Sequence, residues 1–352
     1  MSAPLFFIDD DIVKAQTIPS KFYLEEKYLK LTINKIFKYS WQFITDTNQL
    51  DKENIFPFKF LKDTFNDPLL LVNNGEKINC LSNVCTHRGS LLCKSKKNLK
   101  TIQCKYHGRT FDLNGKIKAA PGFEHSDKFP KNNDHLKHCK VKQWKHFIFS
   151  GINPEINLDD IFKDIDNRLG SYPFEKLVYN QSSSNEYILD ANWALYCENY
   201  LEGFHVPYVH PGLNNDLELK SYKTILLENG VLQFSKSNTS KNSINKDNIY
   251  AYYYFIFPNI MFNFYSWGLS INIIEPINKN KTRIRFLSYP IKANKQPFNN
   301  ESSLDKVEDE DQSIVKRVQE GLNSSFYNRG RYSPENELGV HHFHKMLCNY
   351  IS

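Results

Sequence analysis

Glycine is scarce in this sequence, 14 among 352 residues, and nowhere does it build the Gly-rich turn that cradles a nucleotide's phosphates. Blocks of lysine and arginine are absent too. The formal charge of +6 comes from lysines scattered along the chain, which read as solvated faces and exclude a nucleic-acid surface. Long apolar runs are also missing. The most apolar stretch, Tyr252 to Met261, is too short to cross a bilayer and is interrupted by Pro258. The opening MSAPLFFIDDDIVK has no basic segment ahead of an apolar run, so no export signal is read and a cytoplasmic protein is expected. No repeat is visible, and the one low-complexity tract is a polar stretch at 235–248, read as a surface loop. Seven cysteines, an odd number, argue against a disulfide framework and for reduced thiols, some free to ligate metal.

What is present divides by texture. Residues 1–40 read as a partly amphipathic helical segment, with Phe22, Leu24, Tyr28 and Leu29 near helical spacing, expected to pack on the second domain. Residues 41–152 turn to short strand-like runs such as LLLV and HFIFSGI separated by Asn, Gly, Asp and Lys turns, which predicts an all-β module. Residues 153–352 combine long strands, among them YAYYYFIF, SINIIEP and TRIRFLSYPI, with helices from about Asp190 and from about Leu304. The fold class expected is α+β: a β module joined to a domain with an antiparallel sheet flanked by helices.

Inside the β module stand Cys85-Thr86-His87 and, further on, Cys104-Lys105-Tyr106-His107. Two loops thus present one thiolate and one imidazole each. A [2Fe-2S] cluster with two cysteines on one iron and two histidines on the other needs that division, and the neutral imidazoles raise its potential. A structural zinc site would also take two of each, but zinc fingers pair like ligands as C-x2-4-C and H-x3-5-H. The remaining cysteines, Cys80, Cys93, Cys139, Cys197 and Cys348, read as packed thiols.

Cys-Thr-His-Arg-Gly and Cys-Lys-Tyr-His-Gly-Arg resemble the two cluster loops of the Rieske non-haem iron oxygenase family, and the likeness runs from about Trp41 to Tyr350. Gly89 and Gly108 are expected to let backbone amides approach the cluster sulfurs. The resemblance implies a Rieske domain followed by a helix-grip-like catalytic domain that holds a mononuclear iron.

NWALYCENYLEGFHVPYVHPGL at 192–213 carries Glu198, Glu202, His205 and His210. A helix from Asp190 to Phe204 would put Leu189, Trp193, Cys197, Tyr200 and Phe204 on an apolar stripe, with Glu198, Glu202 and His205 beside it. Pro207 would then distort the helix and let His210 turn back toward His205. Two imidazoles and one carboxylate make the usual facial set for a non-haem Fe(II) that must leave positions open to O2. The acid is sought in LDKVEDEDQSIVKRVQEGL, where Val307, Asp311, Val315, Val318 and Leu322 share a stripe. An acid there is costly to bury unless paired or metal-bound, which makes Asp311 the third ligand. A frayed, solvated helix start is the plainer alternative. His341, His342 and His344 do not converge at their spacing and read as part of a packed terminal helix.

By resemblance, the segment from Leu304 looks like the closing catalytic-domain helix, with Val318-Gln319-Glu320-Gly321 following its acid. Glu202 stands where relatives carry an acid bridging an iron-bound histidine, here His205, to a cluster histidine, His107 of the partner subunit. Asn199 is a further candidate for a catalytic role. Glutamate at 202, where many members have aspartate, resembles the subgroup that acts on quaternary ammonium compounds. The implied cofactors are a [2Fe-2S] cluster and mononuclear Fe(II), with O2 as co-substrate. NAD(P)H would be used only by a partner, a ferredoxin or flavin reductase, and a homotrimer or a multiple of it is implied. Tyr200, Phe204, Tyr208, Phe264 and Trp267 are candidate pocket walls, since aromatic rings cage trimethylammonium groups. Alternatives are an aromatic-ring hydroxylating dioxygenase or demethylase and, from another class, a non-catalytic Rieske electron carrier.

Overall fold

The computed structural model describes residues 6–238, 243–291 and 301–351. The opening pentapeptide and the centre of the polar loop, residues 239–242, lie outside the described residues. The chain separates into two compact units, residues 38–155 and the remainder, Met1–Phe37 with Ile156–Ser352. Among the described residues no helix is long and apolar enough to cross a membrane. The run from Tyr252 to Met261 is instead the hairpin between the strands Ile249–Ile256 and Ile260–Tyr265.

The unit 38–155 is built on a six-stranded antiparallel sheet. Its spatial order is Gln42–Asp46, Phe147–Gly151, His138–Trp144, Ile78–Ser82, Asp67–Asn73 and Ile55–Phe60. A second sheet of three short strands, Ile102–Gln103, Thr110–Phe111 and Ile117–Ala119, stands apart from it. Leu70, Val72, Leu81, Ile102, Phe111 and Leu136 form the core that also surrounds Cys85 and Cys104. Both cluster-loop cysteines therefore leave strand ends that are anchored by buried aliphatic side chains.

The larger unit carries a seven-stranded antiparallel sheet. It runs Asn180–Leu189, Lys281–Pro290, Gly268–Asn278, Ile260–Tyr265, Ile249–Ile256, Gly230–Ser237, Leu217–Leu227. This is the α+β arrangement expected. Strand alternation decides which side chains reach which face. Tyr254 donates to Asp164 Oδ2 at 2.7 Å, so that face is covered by the helix Asp159–Arg168, which buries Ile161, Phe162 and Ile165. Tyr253, one residue away, points to the other face.

The helix expected over Asp190–Phe204 is confined to Trp193–Tyr200. Asn192 caps it, its side-chain oxygen accepting from Ala194 N at 3.1 Å, and so Leu189 belongs to a strand instead. Beyond Leu201 the chain turns at Gly203, where a Cβ would come within 2.6 Å of the Tyr222 ring. A short turn of helix, Val206–Val209, follows with Pro207 in its first turn.

The helix Glu301–Gly321 also departs from its expected stripe. Val318 is 45% exposed, and the buried position is taken by Gln319, one residue on. The reason is a capping duty: Gln319 Oε1 accepts the backbone N–H of Asn192 at 2.7 Å, which joins the two helices. Gln319→Ala would leave that buried donor unpaired, at a cost of about 1–3 kcal/mol. A lowered thermal midpoint with the cluster's visible spectrum retained is the expected result, and an unchanged midpoint would count against the cap.

Candidate active site

The helical turn Val206–Val209, flanked by His205 and His210, and the acidic helix converge on one point. Ligand atoms of His205, His210 and Asp311 all lie within 4.8 Å of one another. Asp311 Oδ1 is 2.9 Å from His210 Nε2 and 3.6 Å from His205 Nε2, so both imidazoles turn the same nitrogen inward. Their outward nitrogens are held by carboxylates. His205 Nδ1 is 2.6 Å from Glu202 Oε1, and His210 Nδ1 is 2.8 Å from Glu310 Oε2. This carboxylate–histidine pairing fixes ring orientation and makes Nε2 the lone-pair donor.

Glu202 is itself held, its Oε2 accepting the backbone N–H groups of Phe204 and His205. Asn199 Nδ2 donates to Asp311 Oδ1 at 2.6 Å and orients the acid. Burial opposes a charge on His210, but the bonds and charges of Asp311 and Glu310 outweigh it and raise its pKa. Concentrated anionic charge around two imidazoles is what a divalent cation offsets. The two nitrogens and one carboxylate fit a mononuclear Fe(II).

Glu310 was not legible as a participant, because an acid in an acidic run carries no signal of its own. It stands one residue before Asp311 yet reaches the far nitrogen of His210. Glu310→Ala is expected to weaken iron binding at the mononuclear site by about 10–100-fold without bleaching the cluster. Iron titration followed by metal analysis checks it, and wild-type affinity would remove Glu310 from the support.

Glu198, expected beside Glu202, faces elsewhere. It accepts from Tyr23 Oη at 2.7 Å and lies 3.1 Å from His344 Nε2. Ending the helix at Tyr200 rotates the residues that follow, so Glu198 and His205 do not share a face. His341 and His342 bond to the carbonyls of Asp9 and Leu227, and His344 to Tyr332, as packed side chains.

Beside the metal-ligating group lies a cavity of about 120 Å3. Tyr196, Tyr200, Tyr222, Tyr253 and Tyr265 line it together with Glu308. Burial pushes all five phenols above their ordinary range, so they stay neutral and present uncharged rings. Of the aromatic residues expected in the wall, Tyr200 is there and four are not. Phe264 points to the opposite face of its strand, against Tyr172 and Phe174, while Asn263 and Tyr265 take the cavity face. Trp267 stacks on Tyr265 from behind in the following turn. Phe204 and Tyr208, 46% and 79% exposed, face outward because the helix ends before them. Alternation along YAYYYFIF was the signal that could have found Tyr253.

The other constellation lies in the unit 38–155, where the two loops are near copies. Cys85 N donates to Ser90 O and Gly89 N to Cys85 O; Cys104 N donates to Arg109 O and Gly108 N to Cys104 O. Gly89 and Gly108 have φ of +72° and +74°, which closes each turn and which a side chain tolerates poorly. Their own amides bond cysteine carbonyls and close the turns. Sulfur is met by other donors, the His87 amide at Cys85 and the Tyr106 and His107 amides at Cys104. Burial pushes the Cys85 thiol up. Burial also works upward on Cys104, but the backbone amides with Cys85 and Ser90 outweigh it and hold that thiol below its ordinary value.

The thiols of Cys85 and Cys104 are buried and in hydrogen-bonding contact, whereas His87 and His107 stand ring to ring at 4.7 Å on the outer side. A two-iron cluster, with its sulfur and nitrogen ends separated, fits them. Arg109, 3% exposed, stacks on Phe123 and Phe129 and donates to Thr86 Oγ1 at 3.0 Å, tying one loop to the other.

Residues 40–137 match the Rieske [2Fe-2S] domain, and residues 174–352 match the ring hydroxylating alpha subunit (catalytic domain). The chain is a Rieske non-haem iron oxygenase. It belongs to the ring-hydroxylating alpha-subunit family, whose cofactors are the [2Fe-2S] cluster and a mononuclear iron and whose reactions consume O2. Among its relatives is the chloroplastic choline monooxygenase of Amaranthus tricolor, 30% identical over 346 residues, covering 94% of this chain and 77% of the relative. The carnitine monooxygenase oxygenase subunit of Escherichia coli (strain K12) is 25% identical over 361 residues, covering 95% and 94%. In fold, this Rieske oxygenase superposes on the quaternary ammonium Rieske monooxygenase CntA with a TM-score of 0.83 at 22% identity, over 99% of this chain and 100% of that one.

Proposed function

We propose that this chain is the terminal oxygenase component that hydroxylates a small quaternary ammonium compound, with electrons delivered by a separate reductase. The observation that carries the substrate class is the tyrosine-lined cavity beside His205, His210 and Asp311, with the carboxylate of Glu308 in its wall. Neutral phenol faces attract a trimethylammonium group through their quadrupoles, and an acid nearby adds direct attraction. The choline and carnitine monooxygenases among its relatives support the same class.

When bound, the cluster supplies single electrons and the mononuclear iron activates O2. The protein's own residues do the rest. Glu202 and Glu310 keep both imidazoles oriented with Nε2 inward, and Asn199 steadies Asp311. Tyr200, whose hydroxyl donates to Asn263 Oδ1 at 2.7 Å, is fixed as a wall of the cavity and keeps water from the substrate's methyl groups. Glu202 has the further role of linking His205 to His107 of the partner subunit in a homotrimer or a multiple of it, which gives electrons a short bonded path between metals.

A panel of choline, carnitine and glycine betaine assayed beside benzoate-type rings, with a surrogate reductase, tests this reading. Product is expected from at least one ammonium compound and none from the rings. Turnover of rings alone would return the chain to ring hydroxylation.

A further inference from the structure

Among the described residues that line the cavity there is no lysine or arginine, while Glu202, Glu308 and Asp311 all contribute carboxylates, two of them beside the His205 and His210 imidazoles. Glu308 is fixed in place, its Oε2 accepting the Tyr196 hydroxyl at 2.5 Å. Burial, then the charges of Glu308 and Asp311, hold that phenol well above its ordinary range, so Tyr196 donates and does not itself become an anion. Apart from the acids and the two imidazoles, the polar groups in the lining are tyrosine hydroxyls and the amides of Asn199, Asn263 and Asn272, with Asn263 Nδ2 donating to Asn272 Oδ1 at 3.3 Å.

Quaternary ammonium compounds come in two electrostatic kinds. Choline is a plain cation with a hydroxyl, whereas glycine betaine and carnitine are zwitterions that carry a carboxylate as well. The first kind finds rings and a carboxylate for its cation and amides for its hydroxyl. A zwitterion's carboxylate meets Glu308 as a like charge, and amides bond it without neutralising it. A bound Fe(II) would add a positive neighbour, and Asp311 offsets half of its charge.

We infer that Glu308 is a specificity-determining residue that selects a quaternary ammonium alcohol without a carboxylate and rejects zwitterionic betaines and carnitines. This rests on the quaternary-ammonium reading above. It goes further by using the charge balance of the cavity and not its rings, and by dividing that substrate class in two.

Anaerobic calorimetry on the holoprotein tests it with choline, glycine betaine and 3,3-dimethylbutan-1-ol, the neutral carbon isostere of choline. Choline should bind tightest, ahead of glycine betaine by at least about thirtyfold, and Glu308→Gln should cut choline's advantage over the neutral isostere by about tenfold, the size expected for one close charge pair. Glu308→Asp keeps the charge and should keep the order, and it serves as the second variant if the amide compromises folding. Wild-type binding of glycine betaine within about threefold of choline would overturn the inference while leaving the ammonium reading intact. So would an unchanged choline preference in folded Glu308→Gln. Binding of benzoate with no ammonium ligand bound at all would overturn both.

Discussion

Replacing Asp311 by alanine is expected to empty the mononuclear site and reduce turnover to background, while the cluster's visible spectrum stays intact. The effect is large because Asp311 is the one carboxylate in the metal-ligating group and sits between both inward-facing Nε2 atoms. Two neutral imidazoles alone do not hold Fe(II) against water, which competes well for a hard divalent ion. The change leaves the cluster loops untouched, since Cys85, His87, Cys104 and His107 belong to the other compact unit. Metal analysis and absorbance spectra on the same sample check both halves. Retention of wild-type turnover would remove Asp311 from the site.

Glu202→Gln should separate chemistry from electron supply. The amide is nearly isosteric and its one oxygen can still accept the His205 Nδ1–H, so His205 keeps Nε2 turned inward and both metals remain bound. What is lost is the carboxylate charge 2.6 Å from His205 Nδ1. Losing such a partner typically costs about 10–100-fold in activity. Single-turnover kinetics on the pre-reduced protein should show oxidation of the cluster slowed by that order, with iron content unchanged. A transfer rate equal to wild type would defeat the bridging role.

Much of this site could be read from residue order because metal ligation demands particular side chains at particular spacings. The C-x-H and C-x2-H pair divides sulfur from nitrogen in the way a mixed-ligand cluster needs, and the structure keeps that division, thiols inward and imidazoles outward. Asp311 was visible as an acid on an apolar stripe, and it does converge with His205 and His210. The cavity wall was visible only in part, through Tyr200 among others, for two reasons. Helical periodicity placed Phe204 and Tyr208 beside the ligands, but the helix stops at Tyr200, where the chain turns at Gly203 under the Tyr222 ring, and those two rings swing to solvent. Tyr222 is itself a wall residue contributed by a different strand, and no local pattern announces that. Phe264 failed for the opposite reason. It was judged by proximity along the chain, whereas strand alternation sends Tyr265 to the cavity and Phe264 to the core beneath.

Supporting residues were hidden for a related reason. Glu310, Glu308 and Asp311 lie within four positions of one helix, and their chemistry differs only through what each faces: the far nitrogen of His210, the cavity, and the metal-ligating point. Gln319 was part of a motif read for its valine, yet the glutamine is the buried member that joins the acidic helix to the cap of the helix carrying Asn199.

The central claim is that this one polypeptide holds two distinct iron centres. Mössbauer spectroscopy on anaerobically 57Fe-reconstituted protein, with acid-labile sulfide measured on the same sample, addresses it most directly. Three irons and two sulfides per chain are predicted, one iron appearing as a high-spin ferrous site outside the cluster and absent from Asp311→Ala. Two irons and two sulfides, with no ferrous signal beyond the cluster, would contradict the claim and leave an electron carrier.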